Sequence, residues 1–238
     1  MKAYETKITE VLHTFETTQG ENILRAASAI VDALEQGHEF YTIGTGHSHM
    51  IGEEFYGRAG GLACVKMLAP AELTLCDHPL KSTKIERIGA YAHVIFTQYK
   101  LKAGDVLLIT SNSGRNAMIV ELALECKRRG ITTIGFTSLD HSSRVTSRHE
   151  SGKRLFELCD IVIDNCGIQG DAMLDLEGVP AKMGASSSIV GMYMAQCLSM
   201  EIAMEMARRG MEVPVFTSSN VDGADERNYQ LMQKYYGI

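Results

Sequence analysis

Two short stretches of this sequence gather glycine with small polar and imidazole side chains: Gly44-Thr45-Gly46-His47-Ser48-His49 and Ser111-Asn112-Ser113-Gly114-Arg115-Asn116. Each follows an apolar run and precedes a helical pattern. Glycines let the backbone turn tightly and expose N–H groups, and a helix N-terminus adds a partial positive charge, so both stretches suit a phosphate group. In the second, three hydroxyl or amide side chains exceed what a single helix cap requires. Plain strand-to-helix turns and ordinary N-capping are the competing readings. A dinucleotide site fits poorly, because His49 stands where G-x-G-x-x-G has its last glycine and Lys66 replaces the acidic ribose ligand.

Proton transfer next to a carbonyl needs a carboxylate or a histidine near that phosphate. Glu54, Glu86, His47 and His49 are the candidates. Glu53 and Glu54 also sit in a first helical turn, where the helix dipole favours acids regardless of function. Glu86-Arg87 also fits a surface ion pair. His47 and His49 alone are too few for a secure metal site, although one could join Asp or Glu from elsewhere, and neither a metal nor a cofactor is expected. Gly170-Asp171, Asp175 and His141 lie on loops that could approach the same edge or merely cap turns, while Asp160 and Asp164 flank a strand and read as structural.

Five apolar runs position these loops: Glu39 to Ile43, Leu62 to Met67, Val106 to Thr110, Thr132 to Phe136 and Ile161 to Ile163. They alternate with helical stretches, the pattern of βαβ units in a parallel sheet. A flavodoxin-like, doubly wound order 2-1-3-4-5 puts the first and third strands side by side at the switch point, so both loops would face one crevice. Ile8, Leu12 and Phe15, then Ile23, Ala26, Ala27, Ile30, Val31 and Leu34, predict two amphipathic N-terminal helices within residues 1–36. The α/β core is expected over 37–209, ending in a long apolar helix from Ser186 to Arg209, and 210–238 is a tail; together 1–238 reads as one domain. The interval from Leu68 to Asp105 is a candidate lid or site wall.

Composition narrows the partners. With 238 residues, 45% hydrophobic content and a formal charge of −6, the chain can bury a core but lacks the massed Lys and Arg of a nucleic-acid footprint. No apolar stretch suits a membrane span or a secretory leader, and six cysteines without a CxxC pair read as buried thiols. A cytoplasmic location follows as an expectation.

On these residues the chain resembles the sugar isomerase (SIS) domain family, from about Ile23 to Ala207, and is similar in particular to phosphoheptose isomerases. The shared motifs are Gly44-x-Gly46-x-Ser48-His49, Glu53-Glu54-x-x-Gly57-Arg58 and Ser111-x-Ser113-Gly114. The resemblance implies that Ser48, Ser111, Ser113 and Asn116, with Gly46, His47, Asn112 and Gly114 around them, hold a sugar phosphate, and that Glu54 moves a proton between C1 and C2. It also implies a homodimer or homotetramer with the site near the subunit interface, which the 210–238 tail of a partner could complete. Where phosphoheptose isomerases carry a final-helix histidine, this chain has Gln196, which exchanges no proton at neutral pH. The expected functions are therefore an aldose–ketose sugar-phosphate isomerase or related lyase or deglycase, and alternatively a phosphosugar sensor.

Overall fold

The computed structural model describes residues 1–76 and 78–238. Its centre is a five-stranded parallel sheet of order β2-β1-β3-β4-β5, built from β1 (Phe40–Gly44), β2 (Val65–Leu68), β3 (Val106–Thr110), β4 (Thr132–Thr137) and β5 (Ile161–Asp164). This is the doubly wound α/β arrangement of a SIS fold. Alternation along each strand divides the core in two. Phe40, Val106 and Leu108 pack toward α1 (Lys2–Glu35) and α7 (Ser187–Arg208), while Tyr41, Ile43, Leu107 and Ile109 pack toward α4 (Tyr91–Tyr99) and α5 (Ala117–Arg129).

The N-terminal region is one helix of 34 residues rather than two. No proline interrupts it, and Gly20 costs a helix only about 1 kcal/mol. Gln19 fills the gap in the apolar pattern: it is buried, and its Oε1 accepts the Asp164 N–H at 3.0 Å. One continuous face from Ile8 to Val31 is thereby buried against α7 and β5.

The 68–105 interval is also more regular than a lid. It holds a 3₁₀ turn at Ala71–Leu73, the short α3 (Lys81–Ile85), and α4, whose Ala92, Ile95 and Phe96 are buried as a crossover helix against the sheet. Its first half ends at Glu86, whose carboxylate meets Thr45 of the first polar loop. The irregular stretch after β5 contains an antiparallel hairpin, β6 (Ala172–Leu174) with β7 (Met183–Ala185). The tail docks on its own chain: Val215 bridges to Leu62, Phe216 is buried with Ala63, and α8 (Ala224–Tyr236) sends the Tyr236 hydroxyl to the Val65 carbonyl at 3.3 Å. All six cysteines are free thiols.

Candidate functional site

Gly44 at the end of β1 is in register with Thr110 at the end of β3, so the two polar loops leave the sheet side by side. The first runs through a 3₁₀ turn, Gly46–Ser48, into α2 (His49–Phe55). The second enters α5 at its N-cap, Asn116. Gly46 and Gly114 both turn with positive φ, 56° and 57°. At Gly114 a Cβ would also stand 3.0 Å from the Leu155 Cβ, so the turn needs glycine for space as well as for angle.

A narrow cleft opens where the loops meet, lined by His47, Ser48, Asn112 and Thr110 and floored by Ile51 and Phe136. Its far side is Asn165, after β5, with Ser187 and Ser188 at the start of α7. Asn165 donates to the Asn112 Oδ1 at 2.7 Å, which fixes the Asn112 amide toward β5. At the α7 terminus Asp171 Oδ1 accepts from the Ser186 and Ser187 N–H groups at 3.0 and 2.8 Å, and Oδ2 from the Ser187 hydroxyl at 2.6 Å. A carboxylate thus caps a 22-residue helix beside the cleft.

The remaining loop residues brace the turn. Ser111 is buried and its Oγ accepts the Gly114 N–H at 3.2 Å. The Ser113 carbonyl accepts from Ser142 Oγ at 2.8 Å, leaving the half-buried Ser113 hydroxyl without a protein partner among the described residues. Asn116 is buried, and its Oδ1 accepts from Arg148 at 2.7 Å.

Three of the four acid–base candidates, His49, Glu54 and Glu86, fall into separate hydrogen-bond sets. His49 is buried, with Nδ1 on the Gly46 carbonyl and Nε2 3.3 Å from Glu53, so it holds the first loop closed. Glu54 is held by Arg58 and by the Gln196 amide at 2.6 Å, on the side of α2 that faces α7. Glu86 reaches the first loop directly, its Oε2 accepting from the Thr45 hydroxyl at 2.5 Å, and it lies beside Asn116 of the second. Burial raises its pKa above the ordinary carboxylate value, against the opposing pull of Thr45, Asn116, Arg87 and Arg148. Among the described residues no cluster of His, Cys, Asp and Glu is arranged to hold a metal.

Sequence reasoning passed over Asn165, Ser187, Ser188 and Arg148. The Ser186-Ser187-Ser188 run before an apolar helix was a legible helix-start signal. Asn165 and Arg148 carry none, because only the fold brings them to the loops.

A model of the SIS domain matches residues 3–138, more than half of the chain. A UPF0309 protein of Halalkalibacterium halodurans is 43% identical over 225 residues, covering 94% of this chain and 93% of that protein. The chain is a UPF0309 member of the SIS-domain family. Among solved SIS folds it is similar to the phosphoheptose isomerase from Francisella tularensis, with TM-score 0.54 and 19% identity over 85% of this chain and 96% of the other. It is also similar to the sugar isomerase domain of an RpiR transcription factor from Sphaerobacter thermophilus, with TM-score 0.52 and 16% identity over 99% and 97% of the two chains. At these identities the structural likeness establishes the SIS fold. No helix among the described residues is long and apolar enough to cross a membrane.

Proposed function

We propose that this SIS protein binds a phosphorylated sugar across its two loops and interconverts the aldose and ketose forms, with Glu86 as the carboxylate that carries the proton. The observation behind this reading is the Glu86 side chain itself, bonded to Thr45 of one loop and beside Asn116 of the other, with a pKa raised by burial. A carboxylate with a raised pKa is a stronger base for a carbon acid.

Ser111 and Ser113 with the turn between them form the phosphate cradle, and Ser48 and His47 meet the sugar. In the open-chain form Glu86 takes the proton from C2 and the resulting enediolate is held by neutral donors; the same carboxyl returns the proton to C1 while a hydroxyl proton passes from O2 to O1. Asn112, Asn165 and the Ser188 hydroxyl supply those donors. Glu54, tied to Arg58 and Gln196, positions α2 against α7.

Leu24, Tyr193, Met200 and Met204 expose apolar surface along α1 and α7, with Met200 57% accessible. In our reading a second copy covers this face, giving a homodimer or a dimer of dimers. Six free thiols accord with the reducing cytoplasm, where phosphorylated sugars occur.

The test is a thermal-shift screen of pentose, hexose, heptose and amino-sugar phosphates beside their unphosphorylated forms. A ligand at a hundred times its Kd stabilises the native state by about 2.7 kcal/mol. Stabilisation that does not depend on the phosphate would sink the reading. Solvent deuterium entering C2 of a hit marks enolisation, and the product separates isomerase from lyase or deglycase. Binding with neither exchange nor product would identify a sensor.

A further inference from the structure

Three arginines gather at the Asn116 end of the second loop without a full complement of carboxylates. Arg115 belongs to that loop, Arg148 lies in the segment after α6 (Leu139–Ser143), and Arg87 follows Glu86. The Arg148 N–H donates to the Arg115 carbonyl at 2.8 Å, and its guanidinium reaches the Asn116 Oδ1 at 2.7 Å. Arg115 sends Nη2 to the Thr146 hydroxyl at 3.2 Å, while its Nε is buried with no partner.

Most other arginines of the chain are matched, as Arg58 is by Glu54, Arg144 by Asp140 and Arg209 by Glu205. Among the described residues, Arg87, Arg115 and Arg148 form no salt bridge within 4.0 Å. Glu86 is the carboxylate that offsets the Arg148 charge, while Arg115 and Arg87 are close enough to depress the Arg148 pKa, after burial, by like-charge repulsion. Three guanidiniums against one half-buried carboxylate leave an excess of positive charge. Such repulsion is relieved when an anion enters, and the planar guanidinium fork matches carboxylate and phosphate oxygens.

This place differs from the serine cradle. The cleft meets the second loop at Asn112, whereas the arginines stand at its other end, on the Glu86 side.

We propose that Arg87, Arg115 and Arg148 form a second anion subsite, so that the preferred ligand is a phosphosugar carrying a further carboxylate or phosphate. The inference rests on the phosphosugar reading above, and it makes the substrate doubly anionic. Glu86 then lies between the two anionic ends, where the reacting carbons would be.

Calorimetric titration tests it with matched ligands: glucose 6-phosphate against glucose 1,6-bisphosphate and 6-phosphogluconate, and fructose 6-phosphate against fructose 1,6-bisphosphate. The wild type is expected to bind the doubly anionic member of a pair at least about tenfold tighter. In Arg87→Ala and Arg148→Gln that ratio falls toward one. A preference for 6-phosphogluconate over the bisphosphates assigns the subsite to a carboxylate, and the reverse assigns it to phosphate. Equal affinity within every pair overturns the subsite but keeps the phosphosugar reading; failure of every phosphorylated ligand to bind overturns both. Because Arg148 also holds Asn116, ligand-free Tm is measured in parallel, and the exposed Arg87 decides if Arg148→Gln is unstable. A ratio preserved in Arg87→Ala and in a folded Arg148→Gln overturns the assignment.

Discussion

The Thr45 hydroxyl donates a 2.5 Å hydrogen bond to the carboxylate of Glu86, 41 residues further along the chain. That bond closes the β2–β3 connection over the first loop and fixes the one candidate acid that touches both loops. Replacing Glu86 with glutamine keeps an acceptor for Thr45 but removes the base. Exchange at C2 is expected to fall by about 10²- to 10⁴-fold while ligand affinity changes little. Glu54→Gln should retain exchange. NMR in deuterated buffer checks both, and exchange surviving in Glu86→Gln would remove Glu86 as the base.

The same group gives a pH signature. Its pKa is raised in the folded protein, first by burial, whereas the unfolded chain ionises it in the ordinary range. Native Glu86 therefore holds its proton more tightly, and its contribution to stability is present below the ordinary carboxylate pKa and lost as pH rises through the raised folded value. The Tm of Glu86→Gln minus that of the wild type should thus increase between about pH 4 and about pH 7. A difference independent of pH would contradict the shift.

Ser113→Ala is expected to weaken phosphosugar binding by about tenfold, the loss of one hydrogen bond to a charged group, with little change in ligand-free stability. Ser111→Ala should cost both affinity and about 1 kcal/mol of stability, because the buried Gly114 N–H loses its acceptor. Calorimetry and denaturant unfolding separate the two effects.

Gly114→Ala should destabilise the protein by about 1–3 kcal/mol, since φ is 57° and the new methyl would press on Leu155. Asp171→Ala removes the acceptor for the first N–H groups of α7, at a cost of about 1–2 kcal/mol. Equal stability of Asp171→Ala and wild type in urea would show that α7 needs no cap there.

Charge placed on the exposed α1–α7 face, as in Met200→Lys with Met204→Lys, should lower the association state without unfolding the monomer. Sedimentation velocity reports the first and circular dichroism the second.

The strand order was legible because five short apolar runs alternate with helical periods, and a parallel sheet admits few ways to connect them. The boundary at residues 16–22 was not: the polar Glu-Thr-Thr-Gln-Gly-Glu-Asn stretch looks like a break, and only burial of Gln19 under β5 shows why the helix continues. Within the site, the serines of the second loop declared themselves by local composition. The family resemblance pointed to Glu54 rather than Glu86, and what separates them in the fold is who sits opposite: Arg58 and Gln196 for one, Thr45 and the neighbouring Asn116 for the other. Arg148 and Asn165 had no local signature, since their importance lies in contacts 32 and 53 residues away.

The Asn112–Asn165 contact and the Ser187–Ser188 wall have a consequence for synthesis. A nascent chain ending before α7 carries both glycine loops and all five strands of the sheet, yet lacks the Ser187–Ser188 wall of the cleft. In the phosphosugar reading proposed above, recognition arises only after some four fifths of the sequence has left the ribosome, and a free phosphosugar stabilises the finished protein without trapping its early intermediates.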